Sequence, residues 1–89
     1  MELLKRNNML FLYTKSNCPF TPVVLYKLAE DAIPYTEKNI EDPQFESELL
    51  EHGGDRKVPF LYDDETGLGM YESTAIVAYL NEYHSGNGN

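Results

Sequence analysis

Short β-favouring runs alternate with stretches of helical apolar spacing along nearly the whole chain, and this alternation restricts the fold more than any other feature. Met9 to Thr14 is a continuous apolar run and predicts a buried strand. Val24, Leu25, Leu28 and Ala29 then recur at helical spacing. That helix is expected to begin at Cys18-Pro19, with the proline pre-set for a first turn, and to end at Ile33-Pro34. Tyr35 to Ile40 is a second strand. Asp42-Pro43 opens a second helix with Phe45, Leu49 and Leu50 as its buried stripe and Gly53-Gly54 as its stop. Val58 to Tyr62 is a third strand. Asp63 to Thr66 with Gly67 turns the chain into a fourth, Leu68 to Tyr71. A last helix runs from Ser73 to about Tyr83, with Ile76, Val77 and Leu80 inward. The order β-α-β-α-β-β-α places the first two strands in parallel through a crossover and the last two in a hairpin. The expected fold class is α/β, a four-stranded mixed sheet with helices on both faces.

With 89 residues the chain is one domain, spanning 1–89, and no repeat or linker divides it. A domain of this size has a thin core, and the 42 % of hydrophobic residues suffices for one. Ser85 to Asn89 reads as a disordered tail. The formal net charge of −8 opposes contact with phosphate backbones and anionic membranes, so neither nucleic acid nor a membrane is an expected partner. Lys5 and Arg6 before the run Met9 to Tyr13 suggest a signal peptide; the run is too short and lacks a small-residue cleavage site, so this is not expected. A single cysteine makes no internal disulfide and suits a reducing compartment. A cytoplasmic monomer is the expectation.

Chemistry concentrates at Cys18, at the junction of strand and helix. A thiol there meets the free amides and partial positive charge of a helix start, which favour the thiolate. Lys15, three residues earlier, adds positive charge. A free cysteine also serves as a small buried hydrophobe, but its place before a proline at a helix start favours the reactive role. Other candidates are weaker. His52 and His84 have no metal-ligand spacing with Cys18, so no metal site is expected. Gly67-Leu-Gly69 lies in a hairpin and makes no phosphate loop. The seven tyrosines read as core-edge packing, and Glu46, Glu48 and Glu51 as a solvated helix face.

Tyr13-Thr-Lys-Ser-Asn-Cys-Pro-Phe-Thr21 resembles the glutaredoxin active-site loop, where a strand ends in a Lys-containing turn followed by Cys-Pro-aromatic. Val58-Pro59 followed by Phe60-Leu61 resembles the cis-proline segment of the same fold. Glu72-Ser73 followed by Ala75-Ile76 resembles the glutathione-binding turn of glutathione transferase N-terminal domains. Together these segments span about residues 9 to 84. The chain is similar to glutaredoxins built on a transferase-type N-terminal domain and to cysteine-type transferases of the omega and dehydroascorbate-reductase classes. The resemblance implies a thioredoxin-like fold and a glutathione-dependent thiol–disulfide oxidoreductase with Cys18 as its catalytic residue, supported by Lys15, Pro19, Phe20 and Thr21. Glutathione is the implied co-substrate, and glutathionylated or disulfide molecules are the implied partners. Ser73 and nearby amides would hold the γ-glutamyl carboxylate, Glu72 the amine, and Val58 before Pro59 the cysteinyl backbone. Lys15, Arg56 or Lys57 would meet the glycyl carboxylate, Arg56 and Lys57 being otherwise plain surface charges.

Three departures qualify the resemblance. Thr21 stands where dithiol members carry a second cysteine, which leaves a monothiol route; Thr21 either hydrogen-bonds the thiolate or caps the helix. Pro22 disfavours helical geometry at Thr21 and is expected to distort the first turn. The helical second domain of such transferases has no counterpart in this sequence, so conjugation of bulky electrophiles is not expected of this chain alone. The alternatives are a glutathione-binding module that does not turn over and an iron–sulfur cluster carrier, the latter disfavoured by Pro19 in place of the usual glycine.

Overall fold

The computed structural model describes residues 10–88. The expectations on Lys5, Arg6, Met9 and Asn89 lie outside the described residues. Strand β1 (Leu10–Thr14) leads into α1 (Thr21–Glu30), followed by β2 (Thr36–Asn39), α2 (Pro43–Gly53), β3 (Phe60–Asp63), β4 (Leu68–Met70) and α3 (Ser73–Gly88). The sheet order is β2-β1-β3-β4. β1 pairs with β2 in parallel and with β3 antiparallel, and β3 and β4 form the hairpin. This is the thioredoxin-like arrangement that the resemblance implies.

Alternation along the strands splits the core in two. Leu10, Leu12 and Leu61 face one way and pack with Val24, Leu28 and Ile33 around α1 and with Ile76 and Leu80 of α3. Tyr13 and Phe60 face the other way and pack with Ile40 and with Leu49 of α2. Each fully buried side chain contributes about 1.5–3 kcal/mol. Val24, Leu28, Leu49, Ile76 and Leu80 are buried as their spacing implies, whereas Ala29 and Leu50 lie at the surface.

The helix ends follow local chemistry. α1 begins three residues later than expected and Phe20 is its N-cap. Pro22 has no N–H to give the carbonyl of Cys18, so the helical ladder starts beyond it. Pro22 therefore occupies the first turn, where no N–H is needed, and Thr21 before it is already the first helical residue. At the other end Ala32 takes φ 53°, and the Ile33 N–H reaches back to the Leu28 carbonyl at 2.9 Å. In α2 the Asp42 carboxylate caps the Gln44 N–H at 2.9 Å, and Gly54 at φ 90° terminates the helix. α3 continues past Tyr83 to Gly88, although Ser85 to Gly88 suggested disorder. Extending an existing helix carries no nucleation penalty, and no proline stops it.

Helical period also changes the reading of α2. Phe45, Glu48, Leu49 and His52 share one face, so Glu48 turns toward the sheet. There it accepts from Tyr13 at 3.0 Å and pairs with Lys38 at 2.8 Å. Tyr13 is fully buried, not at the core edge, and burial with the Glu48 carboxylate holds its hydroxyl protonated, above the usual phenol range. The Lys38 ammonium stands 4.2 Å from the Phe11 ring. No helix among the described residues is long and apolar enough to cross a membrane.

Candidate functional site

β1 and β3 are antiparallel neighbours with Tyr13 opposite Phe60, so the segment leaving β1 and the segment entering β3 meet at one end of the sheet. The first is the turn Lys15–Cys18, closed by the Cys18 N–H on the Lys15 carbonyl at 3.3 Å, with Asn17 at φ 70°. Asparagine tolerates that conformation better than most residues. The Ser16 hydroxyl anchors the turn by donating to Glu41 at 2.8 Å. The second segment is Val58-Pro59, whose peptide bond is cis as expected. The Cys18 thiol lies 3.7 Å from the Val58 carbonyl and donates to it.

Cys18 sits before the helix, not in its first turn, yet it still meets the helix-start donors. Burial is the largest single influence and opposes the thiolate. It is outweighed by the Thr21 hydroxyl, the N–H groups of Phe20 and Thr21, and the Lys15 charge, so the thiol lies below its ordinary value. Thr21 is 5 % exposed, and its hydroxyl has no hydrogen-bond partner while the thiol is protonated. It makes no cap bond in α1. Of the two roles open to Thr21, the one toward Cys18 fits.

A groove of about 510 Å³ is lined by Val58, whose carbonyl accepts from the thiol; Cys18 itself is not one of its lining residues. Phe20 lines it, as do Lys57, Val58 and Pro59 of the segment entering β3. Tyr71, Glu72, Ser73 and Thr74 close it from the start of α3. First-turn N–H groups of a helix have no intrahelical acceptor, and Ser73 and Thr74 of that turn in α3 line this groove, where an anion is favoured. Lys57, Val58, Pro59, Glu72 and Ser73 are thus brought together from two distant segments. Arg56 is not among the lining residues, because its guanidinium Nε is paired with Glu46 on α2. Lys15 is exposed and acts on Cys18 from outside the groove. Pro19 is exposed in the segment that links Cys18 to α1. His52 stacks on Tyr62 at 3.9 Å, and among the described residues no group of three His, Cys, Asp or Glu could hold a metal ion.

Two lining residues escaped sequence reasoning. Thr74 follows Ser73 at a helix start and shares its open amides. Tyr71 resembled the other tyrosines, and only its place directly before Glu72 signalled the groove. A shallower depression of about 310 Å³ adjoins at Ser73 and Thr74, between Val23 of α1 and Val77 and Ala78 of α3.

Residues 12–88 match the family model described as glutathione S-transferase, N-terminal domain. Among solved structures, a glutathione S-transferase from the Antarctic clam Laternula elliptica is 33 % identical, with a TM-score of 0.71. The alignment covers 85 % of this chain and 35 % of that one. Isozyme E7 from Drosophila melanogaster is 31 % identical over 84 % of this chain and 34 % of its own, with a TM-score of 0.69. A glutathione transferase homolog from Drosophila mojavensis, solved with bound glutathione, is 28 % identical with a TM-score of 0.69, covering 84 % of this chain and 35 % of that one. This chain therefore spans about a third of the length of the structures it matches. No curated protein matched. With its family model matched over residues 12–88 and the sheet, cis-proline and groove in place, the chain belongs to the glutathione S-transferase N-terminal domain family.

Proposed function

We propose that the chain binds glutathione in the groove and acts as a glutathione-dependent thiol–disulfide oxidoreductase by a monothiol route. The observation that carries this reading is the position of Cys18, 3.7 Å from the carbonyl of Val58, which lines a groove shared with Ser73 and Thr74 at the start of α3. Glutathione has two carboxylates and one amine. Ser73 and the α3 amides suit its γ-glutamyl carboxylate, Glu72 its amine, Val58 its cysteinyl backbone and Lys57 its glycyl carboxylate. The glutathione bound in the Drosophila mojavensis homolog supports the same ligand here.

The Cys18 thiolate attacks the glutathionyl sulfur of a mixed disulfide, forming Cys18–S–S–glutathione and releasing the substrate as its thiolate. A second glutathione thiolate then attacks that bond, giving glutathione disulfide and regenerating the Cys18 thiolate. No second protein thiol enters, so Thr21 in place of a cysteine is compatible with turnover. The test is reduction of a glutathione–cysteine mixed disulfide by wild type and Cys18→Ser. Turnover by wild type and its loss to background in the variant support the reading.

One observation favours a second reading. The Val58 carbonyl accepts from the thiol and so favours its protonated form. A wild-type chain that binds glutathione without turnover decides for a binding module.

A further inference from the structure

Tyr71 ends the turn that delivers Glu72 and Ser73 to the groove, and its ring packs on Phe60 at 4.6 Å between centroids. Its hydroxyl reaches across to the segment between α2 and Pro59. There it accepts from the Asp55 N–H at 2.9 Å and donates to the Asp55 carbonyl at 2.9 Å. One hydroxyl thus serves both backbone groups of one residue, using its donor and one acceptor site together. Asp55 to Lys57 lie in neither helix nor strand, and Asp55 is exposed. Gly53 shows how closely the hydroxyl is seated: a Cβ at that position falls 2.2 Å from the Tyr71 oxygen.

We propose that Tyr71 is a positioning residue that fixes the spacing between the two walls of the groove, Lys57-Val58 on one side and Glu72-Ser73 on the other. The proposal rests on the glutathione reading above. Tyr71 belongs to the chain segment of the second wall and is bonded to the loop that carries the first. Ligand groups that span both walls need that spacing set before they arrive, because ordering the loop on binding opposes affinity. Gly53 is the counterpart, since any side chain there displaces the hydroxyl.

Tyr71→Phe keeps the ring against Phe60 and removes only the hydroxyl. Losing about one net hydrogen bond's worth of loop order weakens binding of reduced glutathione about fivefold by calorimetry. Amide hydrogen exchange of the ligand-free chain should quicken at Asp55, Arg56, Lys57 and Val58, while Cys18 alkylation stays within about twofold of wild type. Gly53→Ala should reproduce the defect, and should add less on top of Tyr71→Phe than it does alone. Unchanged affinity with unchanged loop exchange overturns the proposal. Weaker binding with unchanged exchange also overturns it and makes Tyr71 a direct ligand contact. Equal effects of Gly53→Ala in both backgrounds overturn the coupling. If wild type binds no glutathione, the glutathione reading fails, and exchange alone decides: quicker exchange in Tyr71→Phe upholds the latch and equal exchange refutes it.

Discussion

Replacing Thr21 with valine separates what the hydroxyl does for the fold from what it does for the thiol. The side chain is nearly fully buried and its oxygen has no hydrogen-bond partner. An unpaired buried hydroxyl disfavours the fold by about 1–3 kcal/mol, and valine fills the same volume without it. At the low end, Thr21→Val gains about 1 kcal/mol, which raises the melting temperature of a domain this size by about 4–8 °C. The same change removes a donor that favours the Cys18 thiolate. A net hydrogen bond of about 1 kcal/mol corresponds to about fivefold fewer thiolates below the midpoint, hence about fivefold slower alkylation. Because the folded thiol lies below its ordinary value of 9.0, the wild-type thiolate adds stability above that value and loses it as pH falls through the folded midpoint. The stability gain of Thr21→Val is therefore largest in acid, where both thiols are protonated, and smaller in alkali, where only wild type has the donor. Thermal melts on both sides of the midpoint, with iodoacetamide alkylation below it, measure both effects. A variant that melts lower than wild type in acid, or alkylates at the wild-type rate, refutes the reasoning.

Lys38→Met removes the ammonium that stands over the Phe11, Tyr13 and Phe45 rings and keeps an apolar side chain of similar length. The hydrogen bond from Lys38 is the largest of the influences that hold the Glu48 carboxyl below its ordinary 4.5. Wild type carries that stabilisation above 4.5 and loses it as pH falls through the lower folded value, so the variant should show a shallower acid loss, by about 1 kcal/mol after solvent screening, in urea midpoints across that range. Ala32→Gly should raise stability by about 0.5–1 kcal/mol in the same melts, because φ 53° crowds a Cβ and glycine does not; a loss of stability there refutes the account of how α1 ends.

Much of the fold was legible because the alternation of periods is strong and the breakers are explicit. Asp42-Pro43 and Gly53-Gly54 bracket α2 where the structure has it. β1 was visible as an apolar run, but its division between two cores was not, since both sets of neighbours are apolar. Pro19 misled the start of α1, because either of two nearby prolines fits a first turn and only the missing N–H of Pro22 decides between them. Cys18, Lys57, Val58, Pro59, Glu72 and Ser73 were legible through local motifs on the right elements. Arg56 was not, because its partner Glu46 lies ten residues away on a helix face read as solvated. The bond from Tyr71 to Asp55 joins backbone groups sixteen residues away, and no side-chain pattern in the sequence marks backbone acceptors.

Among the described residues the sheet order leaves β2 and β4 as edges, and each is poorly suited to recruit a strand from another molecule. β2 carries the exposed Glu37, and joining a strand of another chain there sets that charge against a new neighbour. β4 is only three residues long, so little ladder is on offer before the chain turns into α3. Repulsion between chains of net charge −8 acts in the same direction. The two margins that the described strands form thus carry their own protection against edge-to-edge aggregation, by charge on one side and by brevity on the other.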